Sequence, residues 1–257
     1  HEISGNGKKP LVLLHGFMEN TTIWDEMEAH LSKDFTLIKI DLPGHGKSKV
    51  YQEIHTVELM AEKVKEVIDA LKLEKINLLG HSLGGYVSLA FAEKFPEILE
   101  SMTLFFSTTV ADDEEKKAIR RRSIAVIDEN FETFVKTSIP NLFSNNEKDI
   151  LEGKIELAKN IAKSTNKEGV KAAQLGMAER PDRTEILENL DAKILIIAGK
   201  YDNAVKTENL LKIIPEKTNI KTYVLDCGHN GHWEKPTICA EIINTELLHN
   251  LPKHFLL

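Results

Sequence analysis

Gly80-His81-Ser82-Leu83-Gly84 decides how this chain is read. The pentapeptide follows the apolar run Ile76-Asn77-Leu78-Leu79 and precedes a helix-like stretch from Tyr86 to Phe95, so it reads as a G-x-S-x-G turn between a strand and a helix. A turn this tight strains the serine backbone and leaves no room for neighbouring side chains. Glycines two before and two after Ser82 meet that need because they carry no Cβ. Composition alone gives roughly 0.03–0.1 chance matches to the pattern, so the rest of the chain must carry the reading.

Outward from the turn, six short runs are almost continuously apolar: Leu11–Leu14, Thr36–Ile40, Ile76–Leu79, Met102–Phe106, Ile194–Ala198 and Lys221–Leu225. Parallel strands covered on both faces look like this. Helical patterns lie between them. In Thr56–Leu73, Val57, Met60, Ala61, Val64, Val67, Ile68 and Leu71 recur at i, i+3, i+4, i+7 spacing. Thr56 is placed to cap this helix, and Glu58 sits in its first turn. The helix after Ser82 should stop near Phe95, because Pro96 cannot continue it. The alternation predicts an α/β fold with a mostly parallel sheet, flanking helices and right-handed crossovers.

The alternation breaks over residues 111–190, which are charged, helical in pattern and without a good strand. This stretch is expected to be a helical insertion late in the sheet, with 1–110 and 191–257 forming the core. It opens with Asp112-Asp113-Glu114-Glu115, followed by Lys116-Lys117 and Arg120-Arg121-Arg122, an order that complements a helix dipole. The basic run is read as a solvated helix face rather than a nucleic-acid site.

The 257 residues, 42% hydrophobic and 28% charged, suit an ordinary globular protein large enough to need no disulfide staples. A net charge of -7 argues against nucleic acid or an anionic membrane as the main partner. Cys227 and Cys239 make no disulfide framework and are read as small buried residues in a reducing compartment, which predicts a cytoplasmic protein. No uninterrupted apolar run approaches the ~18–20 residues of a membrane span, and no signal peptide is visible.

A serine hydroxyl becomes a nucleophile only when a base takes its proton and an acid holds that base in one tautomer. On a strand–turn–helix scaffold the expected order is Ser…Asp/Glu…His. Asp202, in Gly199-Lys200-Tyr201-Asp202 just beyond the run Ile194–Ala198, is the candidate acid; its competing reading is a turn aspartate. The base candidate is His229 in Cys227-Gly228-His229-Asn230-Gly231-His232, with His232 as its rival. The same H-x-x-H pair could be half of a metal site, but no H-E-x-x-H pattern or cysteine pair completes one, so neither metal nor organic cofactor is expected. Two backbone N–H groups should hold the oxyanion: Leu83, directly after the serine, and Phe17, in the loop after Leu11–Leu14. His15 is read as fixing that loop. Gly46-Lys47-Ser48 ends like a phosphate-binding loop, but Asp41 occupies the position of its first glycine.

Together these segments resemble the α/β-hydrolase superfamily, in its lid-bearing branch of small serine esterases. Leu11-Val12-Leu13-Leu14-His15-Gly16-Phe17 looks like the family's strand and oxyanion segment, and Asp41-Leu42-Pro43-Gly44-His45-Gly46-Lys47-Ser48 like its D-x-P-G-H-G-x-S loop. Gly80–Gly85 matches the elbow, and Gly199-Lys200-Tyr201-Asp202 the acid turn. The family's catalytic histidine follows a glycine and lies five before a glutamate, which selects His229, five before Glu234, over His232. The resemblance implies a Ser82–His229–Asp202 triad and a lid over 111–190. It implies a pocket lined partly by Phe17, Trp24, Phe134 and Phe143. It also implies a small-molecule ester or thioester as substrate. A carbon–carbon bond hydrolase and a ligand receptor that keeps the triad are the alternatives. The family usually opens with an antiparallel strand pair, expected here to be absent or truncated because only His1–Gly5 precedes Asn6.

Overall fold

The computed structural model describes residues 1–31 and 33–248; residues 249–257, assigned above to the core, lie outside the described residues. Seven strands form one sheet in the order β1-β3-β2-β4-β5-β6-β7. They are β1 (Glu2–Ser4), β2 (Lys9–Leu14), β3 (Phe35–Ile40), β4 (Ile76–His81), β5 (Leu99–Phe105), β6 (Lys193–Gly199) and β7 (Ile220–Leu225). The six expected strands are all present and parallel. The segment before Asn6 adds β1, antiparallel to β3 with Ile3 opposite Ile38, so one strand of the family's opening pair is present.

Strand residues alternate between two cores, as a pleated sheet covered on both faces requires. Val12 and Leu14 pack on one side with α2 (Val57–Ala70) and α3 (Leu83–Lys94). Leu11 and Leu13 pack on the other with α1 (Asp25–Leu31) and, near the chain's end, Ile243 and Leu247. All four β2 leucine and valine side chains are fully buried, each worth about 1.5–3 kcal/mol of transfer free energy. β7 departs from the expected two-sided burial. It is an edge strand, and Lys221, Thr222 and Val224 are exposed. Thr56 caps α2 as expected, its hydroxyl accepting the Leu59 N–H at 3.1 Å. α3 is buried from Leu83 to Ala92, as a helix that is apolar on all sides should be.

Between β5 and β6 the chain is helical: α4 (Glu114–Ser138), α5 (Glu152–Ser164), α6 (Lys167–Glu179) and α7 (Glu185–Asn189). After β6 come α8 (Thr207–Lys212), α9 (Gly231–Glu234) and α10 (Pro236–Leu248). α4 breaks at Asn130, whose backbone is non-helical and whose side chain caps the next turn through the Thr133 N–H at 2.9 Å. The basic run of α4 divides. Arg121 and Arg122 are exposed as expected, but Arg120 turns inward to Asp112. The helical segment is tied to the core by Arg183, which pairs with Glu58 of α2 at 2.5 Å and Glu93 of α3 at 2.8 Å.

The strand order places the functional loops. From β2 the chain first moves outward to β3, then returns to the other side of β2 to form β4. The carboxyl ends of β2 and β4 therefore flank a switch point, where a doubly wound sheet opens a crevice. The Phe17 loop and Ser82 lie at those two ends.

Candidate active site

Ser82 sits between β4 and α3 at φ 50°, ψ −109°. A non-glycine residue at positive φ stores about 1–3 kcal/mol of strain and persists only when its surroundings over-determine it. Here the Ser82 N–H donates to the Phe105 carbonyl at 3.0 Å, and the Ser82 carbonyl accepts from the Ser107 hydroxyl at 2.8 Å. A Cβ on Gly80 would lie 2.1 Å from the Gly84 carbonyl oxygen, and one on Gly84 would lie 2.4 Å from that of Leu14. Both glycines of the motif are thus required by backbone packing.

Asp202 and His229 converge on Ser82 from the loops after β6 and β7. The His229 Nδ1 to Asp202 Oδ2 distance is 2.7 Å, and His229 Nε2 to Ser82 Oγ is 2.8 Å. Asp202 and His229 are 4% and 3% exposed, so water competes little for these bonds. The other Asp202 oxygen accepts the N–H groups of Ala204 at 2.7 Å and Val205 at 2.9 Å. The two loops are laced together by Tyr201 N–H to the Cys227 carbonyl at 3.0 Å. The His229 N–H donates to the Leu142 carbonyl of the helical segment at 2.7 Å. Buried Glu234 gathers the histidine loop, accepting from Gly228 N–H at 2.9 Å, Ser144 N–H at 3.1 Å and Asn230 N–H at 3.3 Å.

His232 is fully buried and bonds neither to Ser82 nor, among the described residues, to any partner at either ring nitrogen. Burial, then the neighbouring His81, holds its pKa well below the usual histidine value. No group of three or more potential metal ligands occurs among the described residues. His15 behaves as a loop anchor. Its Nε2 accepts the Leu42 N–H at 2.9 Å, so Nδ1 carries the proton toward the Gly16 carbonyl at 2.7 Å.

Sequence reasoning missed a second buried pair beneath the first. Glu19 Oε2 lies 2.8 Å from His81 Nδ1 and accepts the Gly16 N–H at 2.5 Å, while His81 Nε2 faces the His229 carbonyl at 3.0 Å. Both neighbours of the His81 ring are acceptors, an arrangement that favours a proton on each ring nitrogen. Burial opposes that charge, but the Glu19 carboxylate outweighs it and raises the His81 pKa. Burial likewise works against the Glu19 anion, and His81 overcomes it, holding Glu19 at about 2. No spacing rule joins residues 19 and 81; only the sheet brings them together.

A cavity of about 470 Å³ opens onto Ser82 and His229 and is lined by Phe17, Tyr86, Phe134 and Leu142 among others. Of the four aromatics named for a pocket, Phe17 and Phe134 line this cavity. Trp24 and Phe143 do not line it. Trp24 is fully buried against Phe105, and Phe143 is fully buried and stacked on Trp233 with ring centroids 6.0 Å apart. Their apolar area is satisfied in the core, the ordinary fate of large aromatics. Leu83 opens α3, where helix geometry leaves N–H groups without intrahelical acceptors.

A mostly parallel sheet with a strained serine at its switch point, facing a histidine and an aspartate from later strands, defines the α/β class of hydrolases. The sequence model of the alpha/beta hydrolase fold family matches residues 9–236, and the chain belongs to that family. An esterase from Thermogutta terrifontis, solved with malate bound, superposes with TM-score 0.89 at 32% identity, over 96% of this chain and 92% of that one. The 2-hydroxy-6-oxononadienedioate/2-hydroxy-6-oxononatrienedioate hydrolase of Escherichia coli (strain K12) is 27% identical over 243 residues, covering 90% of this chain and 84% of that protein. The enol-lactonase of Burkholderia xenovorans LB400 shares the fold at TM-score 0.89 and 20% identity, over 96% and 95% of the two chains. Among the described residues, no helix is long and apolar enough to cross a membrane.

Proposed function

We propose that this protein is a serine hydrolase that cleaves a small carboxylic ester or thioester through an acyl-enzyme. One observation carries the reading: the unbroken Asp202–His229–Ser82 chain, with contacts of 2.7 and 2.8 Å, at the carboxyl edge of the sheet. Ser82 Oγ attacks the carbonyl carbon as His229 Nε2 takes its proton. Asp202 holds the Nδ1–H tautomer and balances the imidazolium. The Phe17 and Leu83 N–H groups stabilise the oxyanion, a contribution that typically costs about 10²–10³ in kcat per donor removed. The tetrahedral intermediate collapses, and His229 gives its proton to the leaving alcohol or thiol. A water, deprotonated by His229, then attacks the acyl carbonyl and releases the acid and Ser82.

Residues 111–190 act as a lid whose side chains set substrate choice. The buried, unpaired thiols of Cys227 and Cys239, the latter pushed up to about 12 by burial, support a cytoplasmic setting. The relation to the Escherichia coli hydrolase favours a second reading, carbon–carbon cleavage of a diketone-like acid by the same three residues.

A fluorophosphonate probe should label Ser82, and short p-nitrophenyl esters should turn over. Ser82→Ala should abolish both; full activity in that variant refutes the mechanism. Turnover of a vinylogous 1,5-diketone with none of esters would select the second reading. Thermal stabilisation by ligand without repeated turnover would instead mark a receptor.

A further inference from the structure

The cavity over Ser82 is far more cationic than the chain that builds it. The protein carries a net charge of -7, yet Lys116, Arg120 and Lys206 line the cavity, and Glu19 is its one lining carboxylate among the described residues. Glu19 is already committed to His81 and the Gly16 N–H. Lys116, on α4, donates to the Ala204 carbonyl at 3.3 Å. Lys206, just before α8, reaches Asn203 Oδ1 at 3.5 Å. Two ammonium groups from separate elements thus converge on one turn beside Asp202, whose oxygens are taken by His229, Ala204 and Val205. Neither lysine is within ion-pair distance of a carboxylate among the described residues. Arg120 shares Asp112 with Arg180, so two guanidinium groups face one carboxylate there.

Converging like charges repel, and a protein with surplus acid has carboxylates to spare for pairing them. A cleft lined by one sign of charge between low-dielectric walls focuses its field on whatever enters. The cavity also has apolar walls, including Ile119, Phe134, Leu142 and Met177, beside the uncharged polar side chains of Ser123, Ser138, Gln174 and Asn203. The arrangement suits a ligand with a hydrocarbon body and one anionic end.

We propose that Lys116 and Lys206, backed by Arg120, form a recognition site for a carboxylate carried by the substrate, so that the preferred substrates are acidic esters or thioesters. This rests on the Ser82 hydrolase reading above and narrows it. Two substrate pairs test it, each differing only in the anion: p-nitrophenyl hemiglutarate against p-nitrophenyl valerate, and 4-carboxyphenyl butyrate against phenyl butyrate. The first places the carboxylate on the acyl side and the second on the leaving group. The readout is the anionic-to-neutral ratio of kcat/KM, each value divided by that ester's rate with hydroxide. In at least one pair this ratio should favour the anion by roughly tenfold at low ionic strength and shrink as salt rises. A Lys116→Met/Lys206→Met double variant should lower it by a similar factor. Glutarate should also inhibit the wild-type protein more strongly than valeramide, with salt weakening it, which needs no variant. A ratio near one in both pairs, or one that survives the double substitution, overturns the proposal. Failure of the underlying hydrolase reading looks different: no turnover of either neutral ester by the wild-type protein.

Discussion

Replacing Glu19 with Gln tests the buried pair beneath His229. Glu19 is buried at the cavity wall, and its histidine neighbours hold it at about 2 in the fold, against 4.5 as its ordinary value. At 1.36 kcal/mol per pH unit, this difference contributes about 3 kcal/mol of stability near pH 6. The sign follows from the depressed pKa. The contribution is complete above the unfolded value of 4.5, and it is lost as pH falls toward 2. By pH 3 the same arithmetic leaves about 1 kcal/mol. His81, whose pKa is raised, works in the opposite sense: its contribution is complete below 6.5 and fades as pH rises through the folded value. Glu19→Gln removes the carboxylate and leaves His81 buried without a counter-charge, so the ring sheds a proton and loses one of its two donated bonds. Urea unfolding at intervals from pH 3 to 8 should show the wild type losing stability below pH 4.5, where unfolded Glu19 takes up a proton, and the variant losing it already below 6.5, where only its unfolded His81 is protonated, so the gap should be widest in acid and narrow as pH rises above 6.5. A gap independent of pH would mean that Glu19 acts by packing alone, and the paired charge would have to be abandoned.

Two further outcomes follow from the same geometry. Asp202→Asn keeps the shape but disturbs the His229 tautomer, and kcat should fall by about 10³–10⁴ with KM little changed, as steady-state kinetics on a p-nitrophenyl ester would show. Glu234→Gln turns an amide NH₂ toward one of three backbone N–H groups now held by the carboxylate. Thermal and urea unfolding should register a loss of about 1–3 kcal/mol. Ester hydrolysis should slow through kcat as the His229 loop loosens, and an unchanged kcat would show that Glu234 does not hold that loop.

Much of the fold is legible because its signals are local. Each apolar run is short and bounded, Thr56 caps a helix through a residue three positions on, and Gly80 and Gly84 are fixed by the turn that contains them. The site is legible for a related reason. On a doubly wound sheet functional groups collect directly after strands, so finding the strand before Asp202 or His229 nearly finds the candidate residue. Errors arise where a side chain's direction matters more than its position. Trp24 and Phe143 have the right chemistry for a pocket but face the core. Arg120 belongs to a basic run yet turns inward to Asp112, while Arg121 and Arg122 stay in solvent.

The alternating strands and helices, the serine at a glycine-flanked turn, and the order Ser82, Asp202, His229 are all written locally in the chain. The fold, not the chain, turned Trp24 and Phe143 into the core while Phe17 and Phe134 line the cavity. It also decided that Glu19 and His81 form a buried pair, and that two lysines ninety residues apart meet at one cavity mouth. The physical reason is range. Turn strain, capping and hydrophobic period act between residues a few positions apart, whereas pairing and burial of charge depend on which loops the sheet order brings to the same edge.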